Sequence, residues 1–235
     1  MQLLLIRHGQ SANNQVEAET GHGRDRVPDP HLTDLGRRQA QRLADHVAAG
    51  ALPRPEVLFT SLMHRAVETA APLAHALDLP LRGHTLLHEV NGVYTGAYTG
   101  LSTRGTPVPG SPAAVLHGIT DRLQWPADAD ADGWYRRPFE LPGDAWARAL
   151  AVAAEFRDRF GDSGTTVGMV THAWFSQYLL RALADWPPAD DGDLPTWLEL
   201  GNTGNVLVEL DGVPGQARVL WLNRLDHLRP DELSS

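Results

Sequence analysis

Short apolar runs alternate with stretches of helical period along almost the whole chain, and few folds accommodate that alternation. Residues 2–6 are continuously apolar, the pattern of a strand buried on both faces. Residues 33–49 read as a helix, with Thr33 as N-cap and Leu35, Ala40, Leu43 and Val47 as its apolar positions. A short strand is predicted at 57–60, followed by a helix that Ser61 caps and that runs to about residue 77. Leu86 and Leu87 suggest another short strand. A helix over 144–160 is entered through Pro142-Gly143, a β-rich strand covers 165–171, and a helix over 174–184 stops at Pro187-Pro188. Strands at about 205–210 and 217–222 are joined by Asp211-Gly212. Strands alternating with helices predict an α/β fold of three layers, α/β/α, with a largely parallel central sheet flanked by helices. The 235 residues read as a single domain with no internal repeat. Residues 100–142 break the pattern: they are rich in Gly, Pro and Asp and carry Trp125, Trp134, Tyr135 and Arg136-Arg137. That segment is too long for an ordinary loop, so an insertion over the site is expected at about 90–142, with its lid or specificity part at about 100–142.

Composition narrows the function. A hydrophobic fraction of 42% argues for a globular chain and against disorder. No apolar stretch approaches the roughly 18 residues that span a membrane, and the N-terminal apolar run is too short for a signal peptide. The net charge of −9 disfavours nucleic acid and anionic lipid as partners. Cysteine is absent, which excludes disulfides, thiolate catalysis and Cys-based zinc sites and fits a cytoplasmic location. All 20 basic residues are Arg, so a bound anion must be held by Arg, His or backbone N–H groups.

Ligands of open α/β sheets bind beyond the carboxyl ends of the strands. Arg7 and His8 stand at the end of the first strand, and Arg65 lies in the first turns of the helix after strand 57–60. His172 directly follows strand 165–171, and Glu89 follows Leu86-Leu87. Separate segments thus deliver Arg, His, Arg, Glu and His to one edge of the predicted sheet. Two guanidinium forks and two imidazoles suit a phosphoryl group, and Gly9 would let the backbone approach the anion closely.

These residues fall in ordered blocks. They are Arg7-His8-Gly9-Gln10-Ser11 with Asn14, the stretch 32–40, the stretch 61–70 around Arg65, Leu87-His88-Glu89 with Gly92, and Val170-Thr171-His172. Asn202 and the stretch 223–228 extend the match towards the end of the chain. Together they resemble the histidine phosphatase superfamily, the phosphoglycerate-mutase-like family. The resemblance implies a two-step phosphoryl transfer. His8 would attack phosphorus and become a phosphohistidine. Arg7, Arg65, His172 and Asn14 would bind the phosphoryl oxygens, and Glu89 would protonate the leaving alcohol and then activate water. No cofactor and no metal are implied. The implied partner is a small phosphorylated substrate, and a homodimer is compatible with a sequence from which oligomeric state is not legible.

Other uses of the same residues carry their own expectations. Arg65 could pair with Glu68, and Asn13 competes with Asn14. Val93-Tyr94-Thr95-Gly96 replaces the Trp-Glu-Gly frequent in the family, and no His-Asp pair of the acid-phosphatase and phytase branch is present, which favours an acid from the Glu89 loop. His84 and His88 are four apart but sit in a strand-like stretch, so a metal pair there is not expected. His22, His31, His64, His75 and His117 read as surface or loop residues. Asp128, Asp130 and Asp132 read as a solvated acidic loop rather than a calcium site. Arg136-Arg137 balances that loop or reaches a second anionic group of the substrate. Tyr94, Tyr98, Trp125, Trp134 and Tyr135 either enclose the substrate's alcohol moiety or form a small core of their own. The functions in contention are a metal-independent phosphatase, a phosphoglycerate-type mutase and a catalytically silent phospho-ligand binder.

Overall fold

The N-terminal apolar run forms β1 (Gln2–Arg7), at the centre of the protein's main sheet. The computed structural model describes residues 1–21, 25–96, 105–211 and 216–235; His22, Tyr98, Gly212 and the first residues of the 100–142 segment lie outside them. After β1 the chain continues through α1 (Ala12–Thr20), α2 (Asp34–Ala48), β2 (Val57–Ser61), α3 (His64–Leu77), β3 (Leu81–His84), β4 (Tyr94–Thr95), β5 (Thr106–Pro107) and α4 (Ala113–His117). It closes with β6 (Leu123–Gln124), α5 (Pro142–Phe160), β7 (Thr166–Thr171), α6 (Ala173–Leu183), β8 (Asn205–Leu210) and β9 (Ala217–Arg224).

The main sheet has seven strands in the order β6-β3-β2-β7-β1-β8-β9. The first five run parallel, and β8 and β9 add antiparallel pairings at the far edge. Side chains of β1 alternate between the two faces. Leu3 and Leu5 join Val152, Phe156, Phe175 and Leu179 of α5 and α6 in one core, while Leu4 and Ile6 join Leu43, Val47 and Leu73 of α2 and α3 in the other. That division is why the run is apolar without a break: each face of β1 has its own helical layer to bury against.

Three local expectations are corrected. Ser61 does not cap α3: it ends β2, and the N-cap is Met63, whose N–H donates to Ser61 Oγ. The α3 terminus is satisfied from elsewhere, by Asp29 Oδ1 accepting from His64 N–H at 2.9 Å. Leu86 and Leu87 are not a strand, because β3 ends at His84 in register with Ser61 and the chain then turns, burying Leu87 in the core. α5 begins at Pro142 rather than 144, with proline in the first turn, where a missing N–H costs nothing.

The described part of the inserted segment is built into the main body. β5 pairs with β4, and β6 extends the main sheet beside β3. Leu116, Leu123, Trp134 and Tyr135 are buried in the core shared with α2 and α3. Trp134 and Tyr135 therefore serve packing rather than substrate stacking. Arg136 pairs with Asp130 at 3.0 Å, which is the charge-balancing alternative for that residue.

Candidate active site

The strand order decides the site. β2, β7 and β1 lie side by side and parallel, so Ser61, His172 and His8 emerge next to one another at their carboxyl ends. The His8 and His172 ring centroids are 5.0 Å apart. His8 N–H donates to Thr171 O across the β1–β7 pair, and its own carbonyl accepts from Asn202 Nδ2 at 3.2 Å.

Hydrogen bonding assigns the His8 tautomer. Its Nδ1 is 2.7 Å from Gly9 O, and a carbonyl only accepts, so Nδ1 carries the proton. Nε2 therefore keeps its lone pair and accepts from Arg65 Nε at 3.1 Å. Burial, then the charges of Arg65 and Arg7, hold the imidazole well below its ordinary pKa, so it is neutral at neutral pH. A neutral imidazole with one nitrogen anchored and the other presenting a lone pair is the nucleophilic form.

Arg65 turns its guanidinium to His8 rather than to Glu68, whose carboxylate instead takes the Leu32 N–H and faces His31, His64 and Arg37. Thr69, one turn further along α3, ties this together: its hydroxyl donates to Arg65 O and accepts from Gly9 N–H. Arg7 is buried, donates to Leu200 O, and keeps a buried Nε without a partner among the described residues. Burial brings its pKa down to about 10, against the opposing charge of Glu89, so it still carries its charge at neutral pH. His172 faces Ser61 Oγ through Nε2 at 2.9 Å, while its buried Nδ1 has no partner among the described residues. The site thus holds one unspent buried donor, Arg7 Nε, and one buried imidazole nitrogen, His172 Nδ1, without partners among the described residues, as an anion site requires.

Glu89 sits where α6 begins. Its Oε1 accepts from Phe175 N–H and Val90 N–H, both at 2.9 Å, and its Oε2 accepts from Trp174 N–H at 3.3 Å. A carboxylate at a helix N-terminus is favoured by the orphan N–H groups and by the helix dipole. The charge of Glu89 acts on Arg7, Arg65 and Arg26, so the carboxylate faces the same cleft. Asn14 closes a reciprocal cap with Ser11 and is 3.4 Å from Asn202 Nδ2 through its Oδ1. Asn13 spends its amide on both backbone groups of Val27.

Gly9 also has a packing role. A Cβ there would lie 2.7 Å from Gly36 O, and one on Gly36 would lie 2.1 Å from Gln10 O. The glycines let the loop after β1 pack on the first turn of α2, backbone against backbone.

Some functional neighbours carry no sequence signal. Arg148 of α5 grips Leu86 O and His88 O with Nη1, chelates Glu140 with Nε and Nη2, and lies 4.0 Å over the Phe175 ring. It thereby fixes the turn that presents Glu89. Arg26 lies 3.9 Å over the Tyr94 ring beside the cleft. His84 pairs with Glu155 and His88 is buried against Trp134 and Tyr135, so these two do not form a metal pair. His64 is buried, contrary to its expected surface position.

A sheet that gathers two arginines, two histidines and a carboxylate at one strand edge defines an anion-binding α/β protein of phosphoryl-transfer type. The profile of the histidine phosphatase superfamily (branch 1) matches residues 3–223, and the chain belongs to that family. It is 36% identical to the 2,3-bisphosphoglycerate-dependent phosphoglycerate mutase of Mycobacterium tuberculosis over 98% of this chain and 79% of that protein. It is 29% identical to the glucosyl-3-phosphoglycerate phosphatase of Mycolicibacterium vanbaalenii over 95% of this chain and 92% of that one. The native structure of a mycobacterial glucosyl-3-phosphoglycerate phosphatase superposes with a TM-score of 0.62 at 24% identity, covering 94% of this chain and 98% of that one. A phosphoserine phosphatase from Entamoeba histolytica, in complex with phosphoserine, superposes at 0.62 and 17% identity over 97% and 99% of the two chains. At these identities the structural matches speak for the fold alone. Among the described residues, no helix is long and apolar enough to cross a membrane.

Proposed function

We propose that the protein is a metal-independent phosphatase that hydrolyses a small phosphomonoester through a phosphohistidine on His8. The observation that carries this reading is the His8 imidazole: neutral, buried, anchored through Nδ1 and facing Arg65 through Nε2. In the first step Nε2 gives up the hydrogen bond from Arg65 Nε and bonds to phosphorus while the P–O bond to the alcohol breaks, and Glu89, entering the step in its protonated form, passes its proton to the alcohol oxygen. In the second, Glu89 removes a proton from water, the water oxygen bonds to phosphorus, and the N–P bond breaks to release inorganic phosphate and restore His8. Arg7, Arg65, His172 and the Asn14 amide hold the phosphoryl oxygens. Such a loose transition state needs charge and positioning more than covalent assistance.

Two relatives whose names share a phosphoglycerate support a substrate with a carboxylate near the ester, and Arg26 is the guanidinium beside the cleft to receive it. The 36% identity to a mutase supports a second reading, in which the phosphohistidine returns its phosphoryl group to product rather than to water. A panel of phosphomonoesters that includes phosphoglycerates, assayed in chelator with wild type and His8→Ala, separates the two. Phosphate release that disappears in the variant supports the phosphatase, isomer exchange without release supports the mutase, and chelator-sensitive release that survives in the variant sinks both.

A further inference from the structure

Away from the phosphoryl site, His31 in the loop ahead of α2 meets His64 and Glu68, which lie one turn apart on α3. One ligand atom from each lies within 4.8 Å of the other two. His31 Nδ1 is 3.9 Å from Glu68 Oε1, and His64 Nδ1 is 3.5 Å from Glu68 Oε2. The two imidazoles pack with ring centroids 3.8 Å apart. We propose that His31, His64 and Glu68 form a binding site for a divalent cation of the zinc class, separate from the phosphoryl chemistry.

The donor set is the first argument. Two imidazoles and a carboxylate suit a tetrahedral d-block cation and leave a fourth position for water. The spacing is the second. Metal–donor bonds of about 2.0–2.2 Å at tetrahedral angles set donors roughly 3.3 Å apart. The two pairs involving Glu68 are near that separation already, and the remaining closure falls to His31, whose side chain is 67% exposed and free to move. The same exposure provides the path from solvent. The third argument is His64, whose Nδ1 is buried and has no hydrogen-bond partner among the described residues. A buried imidazole nitrogen left in that state beside a carboxylate is what a cation would satisfy.

Glu68 has other obligations that the site must tolerate. Its Oε2 accepts from Leu32 N–H at 2.6 Å, and Arg37 approaches Oε1 at 3.5 Å. A carboxylate offers about four lone-pair directions, so one remains for a metal. Arg37 is itself held by Asp34 at 2.9 Å and by Leu32 O at 2.8 Å, which keeps its charge partly engaged elsewhere.

The test is calorimetric titration of zinc into the full chain after chelator treatment and dialysis, using wild type, His31→Ala and Glu68→Gln. Cobalt absorption on the same proteins reads coordination geometry. Wild type is expected to take up one zinc per chain, with a rise in Tm and tetrahedral cobalt bands. Each substitution is expected to weaken binding at least about tenfold and remove those bands. His31 is exposed, so the Tm of metal-free His31→Ala should equal that of wild type. The proposal is overturned if wild type takes up no zinc, or if both variants bind it as tightly as wild type. No turnover is measured, so the result stands independently of the assignment made for His8.

Discussion

A single histidine nitrogen sets what this site can do. The lone pair on His8 Nε2 exists because Gly9 O holds the Nδ1 proton; it accepts from Arg65 Nε, a bond that must give way before Nε2 attacks phosphorus. Lysine at position 65 would keep the charge but lose the planar fork. Arg65→Lys should lower kcat/KM by about 10²–10³-fold, the range for loss of one oxyanion donor. An unchanged kcat/KM would show that Arg65 contributes charge alone. Ser61→Ala makes a finer test. It removes the only described partner of His172 Nε2, leaving both ring nitrogens buried and unpaired. The expected cost is about 1–3 kcal/mol of stability in urea denaturation, together with a drop in kcat. Full kcat with reduced stability would make Ser61 a packing residue only. His8, Arg7, Arg65 and His172 were legible in the sequence because strand ends in a parallel sheet announce their own position. Ser61 was misread because Ser before a helical run is the ordinary mark of an N-cap, and only the adjacency of β2 and β7 reveals its other partner.

Between elements, Glu89 is positioned by two supports that no short motif encodes. The N-terminus of α6 holds the Glu89 carboxylate, and Arg148 of α5 holds the turn before it through Leu86 O and His88 O. Sequence reasoning placed Glu89 after a strand; the structure places it after a turn, with Arg148 replacing the ladder bonds that a strand would have provided. Glu140 keeps Arg148 in place, although burial pushes the Glu140 carboxyl up even against that guanidinium. Ion pairs of this kind rarely add net stability, but breaking one is costly. Arg148→Met should lose about 3–5 kcal/mol, since it strands Glu140. Glu140→Gln keeps a hydrogen-bonding partner and serves as the milder variant. If Arg148 positions Glu89, Glu140→Gln lowers kcat with little change in KM. A wild-type kcat in Glu140→Gln would assign the pair to packing.

Across the whole molecule, several histidines are folded into the neutral state, and that choice makes stability depend on pH. His8, His88 and His172 are held well below 6.5, in each case chiefly by burial and next by a neighbouring arginine: Arg65 for His8 and His172, and Arg148 for His88. His227 is brought down to about 4 by burial and then by His46. In the unfolded chain these groups titrate near 6.5. Below that pH the unfolded state binds protons that the folded state refuses, so stability falls as the pH falls. The loss begins near pH 6.5 and ends, for each group, at its folded pKa. One such histidine contributes a slope of at most about 1.4 kcal/mol per pH unit. His227 offers the cleanest test, because its ring lies against Thr203 Oγ1 at 2.9 Å and against His46 rather than against a candidate site side chain, and glutamine can replace the first contact. Urea unfolding between pH 6.5 and 5, above the range in which carboxylates titrate, should give a falling stability in wild type. His227→Gln should show a slope shallower by up to one histidine's share. Parallel slopes would mean that His227 takes up its proton in the folded protein, with local rearrangement around His46 and Asp226.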